Sequence, residues 1–254
     1  LDATQSIFDD SLPHILDEIG LCVRHAAGQR ATLVVYDNEP QHARLVRPRE
    51  DGGHGLDMIW NDDWHHSAVV AATGQDEAYY TDHRGSAQEF VSAAKYGFLY
   101  QGQWYRWQAQ RRGAPAFDLA PLRFVHFLDN HDQVANHGHG ERLHQLCSPA
   151  RWRALTALLL LGPQTPMLFQ GQEFAASAPF LYFADHHAEL APLVAHGRRE
   201  FLAQFRSIAT PEIPIVSATE GYELPVDVIV RDKAGETVFE AQVRMWVSPR
   251  KASA

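Results

Sequence analysis

The amino-acid sequence predicts an α/β fold in which helices cover a parallel β-sheet. Short apolar runs, as at 31–36 and 124–128, alternate with amphipathic stretches of helical period. This alternation is typical of βα units around a buried parallel sheet. Each run also ends in polar residues, where (β/α) barrels place their catalytic side chains. No glycine-rich phosphate loop follows any run, so we favour a barrel over a doubly wound sheet, which the alternation alone also permits.

Local signals give the order of the elements. Asp10, Ser11 and Pro13 offer a cap and first turn for a helix over 14–27, and Gly28 ends it. Strands are expected at 31–36 and 57–60, and again in the runs that begin at 123 and 165. Further helices are expected at the following places: after His66, over 87–100 and over 148–162. The aromatic stretch 100–121 has no regular period and predicts an ordered loop.

The pattern changes at about residue 206. Residues 226–232 and 237–247 alternate apolar and polar side chains, and the residues 233–236 between them suit a turn. Such alternation indicates an antiparallel β-hairpin with one solvated face. We therefore divide the chain into a partial barrel at 1–205 and a tail with a β-hairpin at 206–254.

Composition narrows the classes of function. The net charge of −9 makes a nucleic-acid partner or a basic membrane-binding patch unexpected. The longest apolar run, 154–162, is too short to cross a bilayer. Cys22 and Cys147 are the only cysteines, which fits a reducing compartment, and we expect a cytoplasmic protein.

Carboxylates at the ends of the predicted strands are the candidate catalytic groups. Asp2, Asp37 with nearby Glu39, and Asp132 all follow apolar runs. A retaining glycoside hydrolase needs one carboxylate as nucleophile and one carboxylic acid as proton donor, about 5 Å apart. A third acid can hold sugar hydroxyls and raise the donor's pKa. The alternative is that these acids only begin loops, as polar residues at strand ends often do.

A longer motif adds a family resemblance. NHDQVANHGHGER at 130–142 resembles a signature segment of the α-amylase superfamily, glycoside hydrolase family 13. Within it, the segment is most similar to the malto-oligosyltrehalose trehalohydrolases, which carry an NHDQ-x-x-N-x-x-x-GER pattern. LDATQSIFDD at the start, GLDMIWNDDWHHSA at 55–68 and EAYYTD at 77–82 resemble the same enzymes in the same order. The similarity covers residues 1–205 and implies strands 4–8 of a TIM barrel.

The resemblance implies a role for each matching residue. Asp2 matches the nucleophile, Asp37 the position of the proton donor, and Asp132 the third acid. The residues that would contact substrate are His131, Gln133, Asn61, Asp62, Trp64, His65, His66, Tyr79 and Tyr80. The implied substrate is maltooligosyl-trehalose or a related maltodextrin. No cofactor is implied, and no metal site is expected because the histidines lack zinc-site spacing.

Two departures from the family pattern leave alternatives open. The family's donor is a glutamate, and aspartate at position 37 is one methylene shorter, so Glu39 is a possible substitute. The first three barrel strands have no counterpart in this sequence, which implies a separate N-terminal half as a possible partner. The chain is therefore expected to be a trehalose-releasing glycosidase, with an inactive remnant or another α-amylase-family enzyme, such as a branching enzyme, as alternatives.

Overall fold

A computed structural model describes residues 1–208 and the backbone of two later strands, 222–231 and 237–247. The helices and strands, in chain order, are α1 Ile15–Ala27, β1 Val35–Tyr36, β2 Met58–Trp60, α2 Asp62–Thr73, α3 Ala87–Tyr96, β3 Trp104–Tyr105, β4 Gln110–Arg111, β5 Phe124–Phe127, α4 His131–Ala135, α5 Leu143–Leu146, α6 Pro149–Leu161, β6 Thr165–Met167, α7 Ala191–Leu202, β7 Tyr222–Arg231 and β8 Thr237–Val247. Short 3₁₀ turns lie between several of them.

The main sheet has four strands in the order β1-β2-β5-β6. Every neighbouring pair is parallel, with Tyr36 opposite Ile59, Trp60 opposite Val125, and Phe127 opposite Met167. The sheet is open in the described part of the chain. The predicted α/β class is confirmed, and the carboxyl ends of the four strands lie at one edge.

Local chemistry explains where the helices begin and end. The imidazole of His14 accepts a hydrogen bond from the backbone of Leu16 and caps α1. The prediction that Asp10, Ser11 and Pro13 supply this cap is therefore wrong by a few residues. The carboxylate of Glu89 accepts a hydrogen bond from the backbone of Ser86 at the start of α3.

The described residues group into two compact units. The first contains 1–128 and 147–167, and the second contains 129–146 and the described residues of 168–254. In the first unit, Tyr36, Ile59 and Phe124 of the sheet pack with Leu16 of α1 in a buried core. In the second unit, Arg142 donates hydrogen bonds to the carbonyl oxygens of Gln170 at 2.7 Å and of Ala178 at 3.1 Å.

The structure differs from two further predictions. The predicted strand at 31–36 is only two residues long, because the carboxylate of Asp57 accepts the hydrogen bond of Val34 at 2.7 Å where a strand partner would. The predicted loop at 100–121 contains a small antiparallel hairpin, β3 with β4.

The tail contains the predicted hairpin, since β7 pairs antiparallel with β8. Its turn at 233–236 and most of the proposed boundary region lie outside the described residues, and the division at 206 stays a prediction. Among the described residues, no helix combines the length and the apolar character that crossing a membrane requires.

Candidate functional site

The first residues of the chain lie beside β1 and bring Asp2 next to Asp37. The amino nitrogen of Leu1 donates to the carbonyl oxygen of Val35 at 2.7 Å, and the amide of Asp37 donates to the carbonyl oxygen of Leu1 at 2.8 Å. In a parallel ladder, one residue bonds to the two residues that flank its partner on the neighbouring strand. Leu1 is therefore opposite Tyr36. The next pair along the ladder is Asp2 opposite Asp37, with the backbones about 4.8 Å apart.

A turn directly after Asp37 fixes the following residues. Asn38 is buried, and its amide nitrogen donates to the hydroxyl of Thr4 at 3.2 Å. The same hydroxyl donates to the carbonyl oxygen of Asp37 at 2.6 Å. The side-chain oxygen of Asn38 accepts the amide of His42 at 3.0 Å. These bonds tie the end of β1 to the first residues of the chain.

Glu39 does not share the environment of Asp37. Its carboxylate forms a short ion pair with the guanidinium of Arg112 and accepts a hydrogen bond from the side-chain amide of Gln108 at 2.5 Å. The carboxylate of Glu39 is therefore engaged by Arg112 and Gln108.

Arg112 is the centre of the polar network. It is 1% exposed, and its Nε donates to Oδ1 of Asp63 at 3.0 Å. Its Nη2 lies 3.8 Å from Oδ2 of Asp62, and its Cζ lies 5.1 Å from the centre of the Tyr105 ring. Burial alone would lower the pKa of Arg112, but the three neighbouring acids raise it. The guanidinium therefore stays charged inside the protein.

Asp62 and Asp63 are adjacent but differ in protonation. Burial raises the pKa of Asp62 to about 8; the positive charge of Arg112 opposes this rise, and the nearby acids Asp37, Glu39 and Asp63 add to it. Burial also acts on Asp63, but the charge of Arg112 outweighs it and holds the pKa of Asp63 below its usual range. At neutral pH, Asp62 carries a proton and Asp63 is an anion.

Hydrogen bonds of Asn61 fix the start of α2, the helix that carries these acids. Asn61 caps the helix by accepting the amide of Trp64 at 3.2 Å, and its amide nitrogen donates to the carbonyl oxygen of Gly97 at 2.6 Å. The same nitrogen lies 3.1 Å from Nε2 of His126. The ring of Trp64 is buried and stacks on the imidazole of His126, 4.9 Å between centres.

A buried aromatic cluster forms between α2 and the 3₁₀ turn Ala78–Tyr80. His65, His66, Tyr79 and Tyr80 are each 6% exposed or less. The His66 ring is 5.1 Å from Tyr79 and 5.2 Å from Tyr80, between centres. The rings of these four residues, which were predicted to contact substrate, are therefore covered by other side chains, and direct contact with substrate stays a prediction.

The residues of the NHDQ motif lie in the second unit. Asn130 caps α4 by accepting the amide of Gln133 at 2.7 Å. Oδ2 of Asp132 is 3.5 Å from Nε2 of His131, and about half of the Asp132 side chain is exposed. Burial raises the pKa of Asp129 to about 6, although its carboxylate accepts the amide of Leu143.

The structure thus brings Asp2 and Asp37 together, and it gathers Asn61, Asp62 and the aromatic residues around the first turns of α2. The convergence of Asp132 with these residues stays a prediction. Sequence reasoning missed Arg112 and His83. Their signal was weak, because Arg112 lies in the stretch 100–121 without a regular period and His83 falls just after the EAYYTD segment.

Comparisons with known proteins identify relatives. No protein-family model matches the sequence. Malto-oligosyltrehalose trehalohydrolase from Deinococcus radiodurans is 37% identical over 87% of this chain, and the enzyme of that name from Saccharolobus solfataricus is 36% identical over 78%. A crystal structure of a Salmonella typhimurium protein described as an alpha amylase superposes with a TM-score of 0.73 and 36% identity over 84% of this chain.

These matches cover only part of each relative. The chain spans 36% of the Deinococcus enzyme, 35% of the Saccharolobus enzyme and 36% of the Salmonella protein. The order of the matching segments and the parallel sheet agree with this similarity. The chain therefore belongs to the malto-oligosyltrehalose trehalohydrolase family over about a third of the length of its members, and its sheet is part of an α-amylase-type (β/α) barrel.

Proposed function

We propose that this chain carries catalytic acids of a glycoside hydrolase that cleaves the α-1,4-glucosidic bond next to the terminal trehalose of maltooligosyl-trehalose. The products are trehalose and a shortened maltodextrin, as the name of the relatives suggests. The observation that carries the proposal is the ladder between Leu1 and β1, because it puts Asp2 and Asp37 opposite each other at the carboxyl edge of a parallel sheet.

The two acids have different roles in the proposed reaction. Asp37 donates a proton to the glycosidic oxygen while the carboxylate of Asp2 attacks the anomeric carbon, which breaks the bond and forms a glycosyl-enzyme. Water then attacks the same carbon, Asp37 takes its proton, and Asp2 is released. The backbones of opposite residues on neighbouring parallel strands are about 4.8 Å apart. Side chains that start from this spacing can bring two carboxyl groups to the separation of about 5–5.5 Å that retaining enzymes need.

The contacts of Glu39 support Asp37 as the donor. Glu39 is an ion-pair partner of Arg112, whereas Asp37 lies at the strand end opposite the proposed nucleophile. His131, Asp132 and Gln133 would hold sugar hydroxyls, and Asp62 would contact substrate as a neutral acid. Asn61, Trp64, His65, His66, Tyr79 and Tyr80 would shape the cleft at the trehalose end. A cytoplasmic location and a separate N-terminal barrel half as partner also remain predictions.

Trehalose release from maltooligosyl-trehalose by the 254-residue chain tests this proposal. A carboxyl group misplaced by about 1 Å can cost 100-fold in rate. Asp37→Glu, which restores the longer side chain, should therefore raise the rate by at least tenfold, whereas Asp2→Asn should abolish it. Asp10→Asn, at an exposed acid of the same segment, is the matched control and should match the wild-type rate.

Other outcomes distinguish the alternatives. If neither the wild-type chain nor Asp37→Glu releases trehalose, the chain alone is not the proposed enzyme. Binding of maltodextrin without turnover would then identify a remnant that keeps only the binding function. New branch points in glycogen, without trehalose from maltooligosyl-trehalose, would indicate a branching enzyme. A rate that falls in Glu39→Gln and not in Asp37→Asn would assign the donor to Glu39.

A further inference from the structure

We propose that Asp63, His66 and His83 form a binding site for one divalent transition-metal ion, with Zn²⁺ as the expected ion. Each of the three residues offers one ligand atom, and these atoms all lie within 4.8 Å of one another. Asp63 and His66 lie on the first two turns of α2, and His83 follows the 3₁₀ turn Ala78–Tyr80. His66 is also one of the residues that the proposed function places around the cleft, but binding of a metal does not depend on that role.

The cluster is buried, and three of its four ring nitrogens lack a hydrogen-bond partner in the described structure. Asp63 is 0% exposed, His83 is 2% exposed and His66 is 4% exposed. Both ring nitrogens of His83 and Nδ1 of His66 lack a hydrogen-bond partner in the described structure. Buried polar atoms without partners are rare in folded proteins and are costly to maintain. A metal ion that binds one nitrogen of each ring would remove part of that cost.

The ligand atoms of the cluster also lie close to the distances found in metal sites. Tetrahedral Zn²⁺ holds histidine nitrogens and carboxylate oxygens at about 2.0–2.2 Å, so neighbouring ligand atoms are roughly 3.4 Å apart. Nε2 of His83 lies 3.8 Å from Oδ1 of Asp63. The His66 and His83 rings are 4.9 Å apart between centres and nearly perpendicular, at 81°. A contraction of less than about 1.5 Å would therefore complete the site.

The carboxylate of Asp63 keeps lone pairs for a metal. Its Oδ1 accepts one hydrogen bond from Arg112, and its Oδ2 accepts one from the amide of Tyr100 at 2.7 Å. Each oxygen keeps a second lone pair for a metal.

The ligand set indicates which ion would bind. The mixed nitrogen and oxygen ligands favour Zn²⁺ over Ca²⁺ or Mg²⁺, which prefer oxygen ligands.

The metal content of the purified chain tests the proposal. The chain is refolded with Zn²⁺, passed over a chelating resin and measured by mass spectrometry of the metal. We expect about one Zn²⁺ per wild-type chain and less than about 0.2 in His83→Phe, because loss of one of three ligands destroys a site of this size. Phenylalanine keeps a ring against Tyr100 and Tyr105, whose rings contact His83 edge-on.

A matched variant separates this site from surface binding. His196 is 71% exposed and pairs with Glu200, so His196→Ala should keep the Zn²⁺. Refolding with Co²⁺ should give the visible absorption of a tetrahedral ion in the wild type and not in His66→Gln. Zn²⁺ at 100 times its Kd should raise the wild-type melting temperature by roughly 5 °C or more.

Several results would overturn the assignment. If the wild-type chain holds no Zn²⁺ after passage over the chelating resin, the assignment is wrong whatever the variants show. Equal losses of metal in His83→Phe and His196→Ala would place the ion on the surface instead. If His83→Phe does not fold, as judged by its near-ultraviolet circular dichroism, His66→Gln takes its place. Retention of one Zn²⁺ by folded His66→Gln would then reject the site.

Discussion

Replacing Arg112 with methionine tests the buried polar network at its centre. The substitution keeps an apolar stem of similar length and removes the charge that faces Asp63 and Glu39. Asp63 is 0% exposed, so its carboxylate would remain in the interior without its counter-charge. Removing one partner of a buried ion pair typically costs about 3–5 kcal/mol. We expect Arg112→Met to lower the free energy of unfolding by that amount.

Urea denaturation, followed by the fluorescence of the tryptophans, measures the change. With a slope of about 3 kcal/mol per molar, the midpoint should fall by roughly 1–1.7 M. Arg112→Lys should lose about half as much, because lysine keeps the charge and loses the planar fork. Asp63→Asn in the Arg112→Met background should restore at least about 2 kcal/mol, since the uncompensated charge is gone. A loss below about 1 kcal/mol in Arg112→Met, or no recovery in the double variant, would refute this reasoning.

Two further predictions concern stability. Burial raises the pKa of Asp129 from 3.8 to about 6, so the folded chain keeps a proton that the unfolded chain loses between those values. The free energy of unfolding should therefore fall by roughly 3 kcal/mol as pH rises through this window. In urea titrations at pH 4–7, Asp129→Asn should flatten the dependence of this free energy on pH. An unchanged dependence in the variant would contradict the assignment. At Gly113, φ is +72° and an added Cβ would lie 1.8 Å from the carbonyl oxygen of Tyr100. Gly113→Ala should cost about 3 kcal/mol or more, whereas Gly102→Ala, at φ +106° with no atom within 4 Å, should cost about 1 kcal/mol by the same assay; equal losses would show that crowding at Tyr100 is not the cause.

The sequence was sufficient for the fold class because local chemistry determines it. Buried parallel strands give continuous apolar runs, and the runs at 57–60 and 124–127 correspond to β2 and β5. The polar residues after them were harder to interpret. Asn61 and Asn130 follow strands as predicted, but each is also the cap of the next helix. The same types of polar residue follow strands and cap helices, so the sequence does not distinguish the two positions.

The buried network could not be found from the sequence. Arg112 bonds to Asp63 across 49 residues and to Glu39 across 73 residues, and no periodic pattern marks the segment that carries it. Long-range pairs of this kind depend on the tertiary fold. His83 was missed for the same reason, since its neighbours His66 and Asp63 come from α2 and its own segment reads as a polar loop.

The side chain of Asn61 has a consequence for the time course of folding. Its amide bonds to Gly97, 36 residues later, and lies beside His126, 65 residues later. Contacts over such separations form only after large loops have closed, which slows folding. During synthesis, the amide of this asparagine therefore has only water and its own helix as partners until Gly97 has been made, and its contact with His126 waits for 65 residues.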